Sequence, residues 1–299
     1  MSRFLQHFDV EAIGGVNAGQ IYRCTCRRNL PPIVAGDYVG WQATDNDSGV
    51  IEALEPRKNL LQRPDNFGRL KTIAANVDQM LITIASRPAP QPLLVDRYLA
   101  AAELLGIRSV LVLNKVDLIS RQDPSSPTVL LSRYQNLGYK TLEFSCKYDD
   151  LSGLQDLLSL LNHQVSIVVG QSGVGKSSII KKLLPGNEVE IGELSIASGE
   201  GKHTTTRAKV FHLPHGGAII DSPGIRDFSL WHLSADELQF GFIEIANHAT
   251  NCKFRNCQHA SEPGCAVIQA VEQGKIHPQR FDNFVATRDA MANQRATGN

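Results

Sequence analysis

The sequence predicts a multidomain α/β protein: a small β-barrel over 1–70, a phosphate-loop α/β domain over 71–234 and a helical module over 235–299. Three observations carry this reading. Between Gln20 and Gln62 short β-like pieces (IYRCTCR, DYVGWQAT, VIEAL) alternate with turn residues, the signature of a barrel or sandwich. After Lys71 apolar strands alternate with amphipathic helices, as in a mostly parallel sheet covered on both faces. Near the end, three cysteines and a histidine fall between Cys252 and Cys265, and such clustering in a reducing compartment favours metal over disulfide.

The 299 residues are 42% hydrophobic and 20% charged, which excludes disordered, collagenous and coiled-coil chains. No stretch approaches the roughly 20 apolar residues that cross a bilayer, and Met1–Val10 has no apolar run behind a basic start. A soluble, unexported protein is expected. Lys plus Arg total 30, as do Asp plus Glu, so bulk charge gives no support to nucleic-acid binding.

The barrel comes first. OB and SH3-like types both suit its length, periodicity does not separate them, and the OB type is the working expectation. In the second part, strands are expected over Val77–Ala85, Ser109–Leu113, Thr141–Ser145, Ser166–Val169 and Ala218–Ile220. Helices are expected over Leu93–Leu105, with Asp96, Arg97 and Glu103 on the wet side, over Asp150–Leu161 and over Lys176–Leu184. From Gly192 to Arg207 there is no apolar period, and a loop of that length inside a compact domain is usually functional. Ser234 reads as a helix cap, and a terminal helix is expected around His277–Met291.

Gly170-Gln171-Ser172-Gly173-Val174-Gly175-Lys176-Ser177, followed by Ser178, matches G-x-x-x-x-G-K-[ST] between an apolar strand and a helix. The glycines let backbone N–H groups surround a β-phosphate, the helix start adds its dipole, Lys176 reaches the β/γ oxygens and Ser177 can ligate Mg²⁺. Asp221-Ser222-Pro223-Gly224, 45 residues beyond Lys176, follows another buried strand. That position suits a carboxylate in the Mg²⁺ sphere and a glycine N–H facing a γ-phosphate.

Asn114-Lys115-Val116-Asp117 follows the strand VLVL. A carboxylate there can accept from N1–H and the 2-amino group of guanine; adenine offers no such pair, and an unpaired Asp would cost several kcal/mol. Ser145-Cys146-Lys147 ends the next strand and resembles the second base-contacting element of GTPases.

Together these motifs resemble a translation-factor-type GTPase in rotated order, with the base reader ahead of the phosphate loop. With a barrel before and a Cys/His cluster after, the chain resembles the circularly permuted small-ribosomal-subunit GTPases, the RsgA or YjeQ family, over nearly its whole length. Fold termini often lie close together at the surface, so joining them and cutting elsewhere preserves a site. The resemblance implies a ribosome-stimulated GTPase acting late in maturation of the small (30S) subunit, bound to it and its rRNA in the GTP state and released on hydrolysis. GTP and GDP are then the nucleotides, a monomer in the cytoplasm the expected state, and no membrane is involved.

Ras-like enzymes place a water-orienting Gln after D-x-x-G, where this chain has Ile225. An alkyl chain holds no water, so intrinsic hydrolysis should be slow without a partner's help. His203, beside Thr204, Thr205 and Thr206, is the candidate aid, and the resemblance points the same way; Thr205 is the expected Mg²⁺ ligand. Arg207 and Arg226 are possible charge stabilisers, with surface ion pairing the plainer reading.

Cys252, Cys257, His259 and Cys265 offer three thiolates and an imidazole, a closed set for one structural Zn²⁺, with Lys253 and Arg255 inside the loop available to phosphate. In the barrel, Tyr22, Tyr38 and Trp41 beside Arg23, Arg27 and Arg28 would suit RNA, and Arg57, Lys58 and Arg63 make a second basic spot. A metabolic GTPase and a non-hydrolysing RNA-binding module that keeps GTP as a structural ligand are the rivals.

Overall fold

A computed structural model describes residues 7–64, 69–119, 126–147, 151–184, 208–214, 216–221 and 235–297. Strands β1 (Phe8–Glu11), β2 (Ile21–Cys26), β3 (Val39–Ala43) and β4 (Ser48–Leu54) form one sheet in the order β1-β2-β4-β3. β2 and β4 run parallel between two antiparallel flanks, because β3 crosses to the outer edge of β4. This non-sequential order is that of an OB-type barrel. Period-2 alternation on β2 turns Tyr22 and Cys24 inward against Val10 and Ile51. Tyr22 is therefore a core residue, its ring 4.4 Å from that of Trp41, and it offers no face to RNA. Arg27 pairs with Glu52, Arg57 reaches Asp37 at 2.7 Å, and Lys58 reaches Asp78 at 2.9 Å, so much of the expected basic surface is internally matched.

The antiparallel pair β5 (Leu60–Pro64) and β6 (Leu70–Ala75) places Leu61 and Ala74 in the core of the α/β part. Gly36 makes the junction: its φ of +86° and a Cβ that would sit 2.2 Å from the Ala75 carbonyl oxygen leave room for glycine alone.

The second sheet contains β7 (Gln79–Ala85), β8 (Arg108–Asn114), β9 (Lys140–Glu143), β10 (Val165–Gly170), β11 (Lys209–His212) and β12 (Ala218–Asp221), ordered β11-β12-β10-β7-β8-β9. Only β11 is antiparallel to its neighbour. Alternation divides the strand side chains between two layers. Ile82, Leu111 and Ile167 face α1 (Pro92–Leu104) and α2 (Pro127–Asn136), while Leu81, Val110 and Ile219 face α3 (Leu151–Leu161) and α4 (Lys176–Leu183). β11 and α2 were not anticipated; α2 had a legible start, Pro127 in the first turn after Ser126, whose Oγ accepts from the Thr128 N–H.

The C-terminal module comprises α5 (Ala235–Leu238), a 3-10 turn (Gln239–Gly241), α6 (Ile243–Ala249), α7 (Ala266–Glu272) and α8 (Pro278–Thr297), longer than the terminal helix expected. Ser234 lies outside the described residues. The module packs on α1, where Ala100, Ala101 and Ala102 are buried and a Cβ on Gly241 would come within 2.8 Å of Ala100 Cβ. Asp96 is fully buried in this interface, contrary to its expected wet position. Helical periodicity placed it opposite the sheet, and the sequence does not say that a second helical layer covers that face. Arg280 donates to both Glu244 oxygens at 2.6 and 2.9 Å and to Asp96 Oδ1 at 2.6 Å. Tyr134 Oη and Asn283 Nδ2 donate to the same Asp96 carboxylate at 2.5 and 2.6 Å. Burial works against the Arg280 charge, but the Glu244 and Asp96 carboxylates more than offset it and raise its pKa. Arg280→Met should lose about 3–5 kcal/mol by leaving two buried carboxylates without a cation, measured by urea unfolding. Arg280→Lys should recover only part, because an ammonium lacks the planar fork.

Candidate nucleotide site and metal centre

The motifs gather at the carboxyl ends of the parallel strands, where open α/β sheets bind ligands. β10 ends at Gly170, with φ +139° and a Cβ position only 2.2 Å from the Thr83 carbonyl oxygen, so the loop can leave the strand only as glycine. Gly173 (φ +79°) and Gly175 (φ +97°) complete the turn into α4, whose N-cap is Gly175. Such sign-alternating backbone makes the concave row of N–H groups that receives an anion.

The loop is braced from the neighbouring strand ends. Buried Asn114 donates from Nδ2 to the Val174 carbonyl at 2.9 Å, and Lys115, itself left-handed at φ +59°, donates from Nζ to the Gly173 and Arg87 carbonyls at 2.6 and 2.8 Å. Lys176 Nζ donates to Gly170 and Gln171 carbonyls, each at 2.8 Å. Burial raises the Asp221 carboxyl pKa while the Lys176 and Lys209 charges lower it. Gln171, its side-chain Oε1 buried, lines a small cavity of about 10 Å³ with Thr83 and Tyr98.

Beside the loop opens a cleft of about 590 Å³, a size suited to a nucleoside. Asn114, Lys115 and Asp117 line one side, Ser145, Cys146 and Lys147 another, and Gly175 and Ser178 the floor toward the phosphate loop. The 3-10 turn Val116–Leu118 presents Asp117, whose Oδ1 accepts from Ser145 Oγ at 2.6 Å and whose Oδ2 lies 3.9 Å from Lys147 Nζ. Asp117 is thereby a fixed acceptor, while Val116 packs toward the core. Leu118, Lys181 and Lys182 also line the cleft and were missed. The lysines follow Ser178 by three and four residues, a helical spacing that the sequence did contain. His203, Thr204, Thr205, Thr206, Arg207, Gly224, Ile225 and Arg226 lie outside the described residues.

In the C-terminal module the ligand atoms of Cys252, Cys257, His259 and Cys265 lie within 4.8 Å of one another. Cys252 Sγ is 3.7 Å from His259 Nδ1 and 4.0 Å from Cys265 Sγ, and His259 Nδ1 is 3.4 Å from Cys265 Sγ. Tetrahedral Zn–S and Zn–N bonds of about 2.3 and 2.0 Å imply edges of about 3.5–3.8 Å, so the set is compatible with a zinc site. His259 Nε2 lies 3.3 Å from Gln239 Oε1; donation there leaves Nδ1 free for a metal.

Counted from β10, the sheet reads 2-3-1-4-5-6 while the chain visits 4-5-6 before 1-2-3. An N-K-x-D motif ahead of the phosphate loop, with Asp221 ending a strand beyond it, in this strand order defines a circularly permuted phosphate-loop GTPase fold. The chain belongs to the RsgA GTPase family, whose sequence profile matches residues 54–231. It is 49% identical over 294 residues to the small ribosomal subunit biogenesis GTPase RsgA of Hahella chejuensis, covering 98% of this chain and 84% of that protein. The RsgA of Saccharophagus degradans is 52% identical over 267 residues, covering 88% and 77%. The crystal structure of YjeQ from Thermotoga maritima aligns with a TM-score of 0.78 at 30% identity, covering 96% of this chain and 94% of that one. YloQ, described as a circularly permuted GTPase, aligns at 0.76 with 28% identity over 96% and 92%.

A Cβ on Gly175 would stand 2.3 Å from buried Asn114 Nδ2. Gly175→Ala should therefore weaken GTP and GDP binding about tenfold or more, measured by fluorescent-nucleotide titration.

Proposed function

We propose that this chain is a GTP hydrolase of late small-subunit (30S) maturation, which binds the subunit and its rRNA in the GTP state and leaves after hydrolysis. The observation that carries this reading is the fixed Asp117 acceptor in a nucleoside-sized cleft adjoining a braced phosphate loop, in a chain 49% identical to a small ribosomal subunit biogenesis GTPase. Asp117 reads the guanine N1–H and 2-amino group, and Asn114 and Lys115 hold the loop that the phosphates enter. Lys176 and the loop N–H groups stabilise charge on the β- and γ-phosphates. Ser177, Asp221 and Thr205 would hold Mg²⁺, which neutralises phosphate charge when bound.

Ile225 neither accepts a proton nor orients water, so His203 assists the attack, and the subunit stimulates turnover. The barrel and the metal module are the subunit-facing parts, in a division at about residues 70 and 234. In this reading the chain works as a cytoplasmic monomer; among the described residues no helix is long and apolar enough to cross a membrane.

GTP turnover should be slow alone, strongly stimulated by small subunits, indifferent to large subunits, and abolished by Lys176→Ala. Fast turnover regardless of ribosomal particles would overturn the assignment. Cys252, Cys257, His259 and Cys265 hold one structural Zn²⁺ in this reading. One zinc per chain should be found by elemental analysis, and strong chelation should unfold the module with loss of helical circular dichroism, restored by Zn²⁺.

A further inference from the structure

The turn between two of the metal-centre cysteines carries a feature that neither the nucleotide site nor the metal explains. Lys253, Phe254, Arg255 and Asn256 are all exposed. Phe242 and Phe284 of the same module are packed in its core, whereas Phe254 leaves 41% of its surface in water; Phe240, on the 3-10 turn, is exposed too, at 60%, but has no lysine or arginine beside it in the chain. The Phe254 ring stands on a rigid mount. Cys252 and Cys257 bracket it, the Lys253 N–H donates to the Gly264 carbonyl at 3.2 Å, and the Cys257 N–H donates to the Phe254 carbonyl at 3.3 Å. Lys253 crosses above Gly264, where a Cβ would come within 3.2 Å of its own Cβ, and carries its ammonium to 5.5 Å from the Phe254 ring centre.

The charge around the ring is one-sided. Between Cys252 and Cys265 the sequence has one carboxylate, Glu262, and two fixed cations, Lys253 and Arg255. Glu262 is turned into its own loop, accepting from the N–H groups of Gln258, Ala260 and Ser261 at 2.7, 2.9 and 3.1 Å. An exposed ring flanked by cations, on a backbone already ordered, matches one chemistry closely: an unpaired base lies on the ring while phosphates on either side meet the cations. An apolar protein groove would instead meet two charges and an amide beside the ring. Because the cysteines have already ordered the turn, little conformational entropy remains to be lost on binding.

We propose that the Cys252–Cys257 turn holds one unpaired base of single-stranded RNA, with Phe254 as the stacking platform and Lys253 and Arg255 on the adjoining phosphates. This deepens the small-subunit reading above and rests on it for the identity of the RNA.

The test uses the full zinc-loaded chain with two probes, purified small subunits and a ten-nucleotide oligouridylate, and the variants Phe254→Leu, Phe254→Trp and Lys253→Gln/Arg255→Gln. Phe254→Leu should weaken binding of both probes roughly tenfold, and Phe254→Trp should restore it. The double cation variant should flatten the salt dependence by about two phosphate contacts, with zinc content and unstimulated GTP turnover unchanged throughout. Wild-type binding of both probes by Phe254→Leu would overturn the proposal. So would a loss confined to small subunits, which would place a ribosomal protein on the ring. Wild-type protein that ignores small subunits while Phe254 still governs oligouridylate binding would overturn the small-subunit reading and leave the RNA mount standing; binding of neither probe would overturn both.

Discussion

The nucleotide cleft depends on one buried contact, the Asn114 amide donating to the Val174 carbonyl across 60 residues of chain. β8 and β10 flank β7, and the loops leaving them would otherwise be independent. The Asn114 bond and the Lys115 ammonium on Gly173 lock the end of β8 onto the phosphate loop, and so set the distance between the two sides of the cleft. The contact is close enough that residue 175 has no space for a side chain. Permutation leaves this arrangement intact, because the brace joins neighbours in space whichever of them the chain visits first.

A second buried network decides how the rest of the molecule is carried. Arg280 joins α8 to Glu244 of α6 and to Asp96 of α1, with its guanidinium 4.6 Å from the Phe242 ring centre. An ion group of this kind adds little net stability but strongly penalises any arrangement that leaves one member unpaired. It therefore specifies the seating of the metal module on α1. The loop before α1 is itself tied to the phosphate loop, since the Arg87 backbone carbonyl accepts from the same Lys115 ammonium. The nucleotide site and the metal module thus share α1 as a common support.

Charge is distributed to match. The chain is neutral overall, and Arg57, Lys58 and Arg280 are consumed by internal carboxylates. Lysines instead collect at the cleft, with Lys115, Lys147, Lys181 and Lys182 lining it and Lys176 in the adjoining phosphate loop. Net charge alone conceals this, because it does not say which cations are matched to carboxylates and which gather on one side of the fold.

The sequence by itself determined five of the six strands of the α/β sheet to within two residues, the glycine-rich loop after β10 and the cluster of three cysteines and a histidine. Those features are local: periodicity, glycine conformation and ligand spacing are properties of short segments. Tertiary structure alone decided that Asp96 is buried, that Tyr22 points inward, and that Lys181 and Lys182 reach the cleft. Each of these depends on what another segment places opposite the residue. A helix face reads as wet until a second helical layer covers it, and no run of residues around Asp96 announces an arginine 184 positions later.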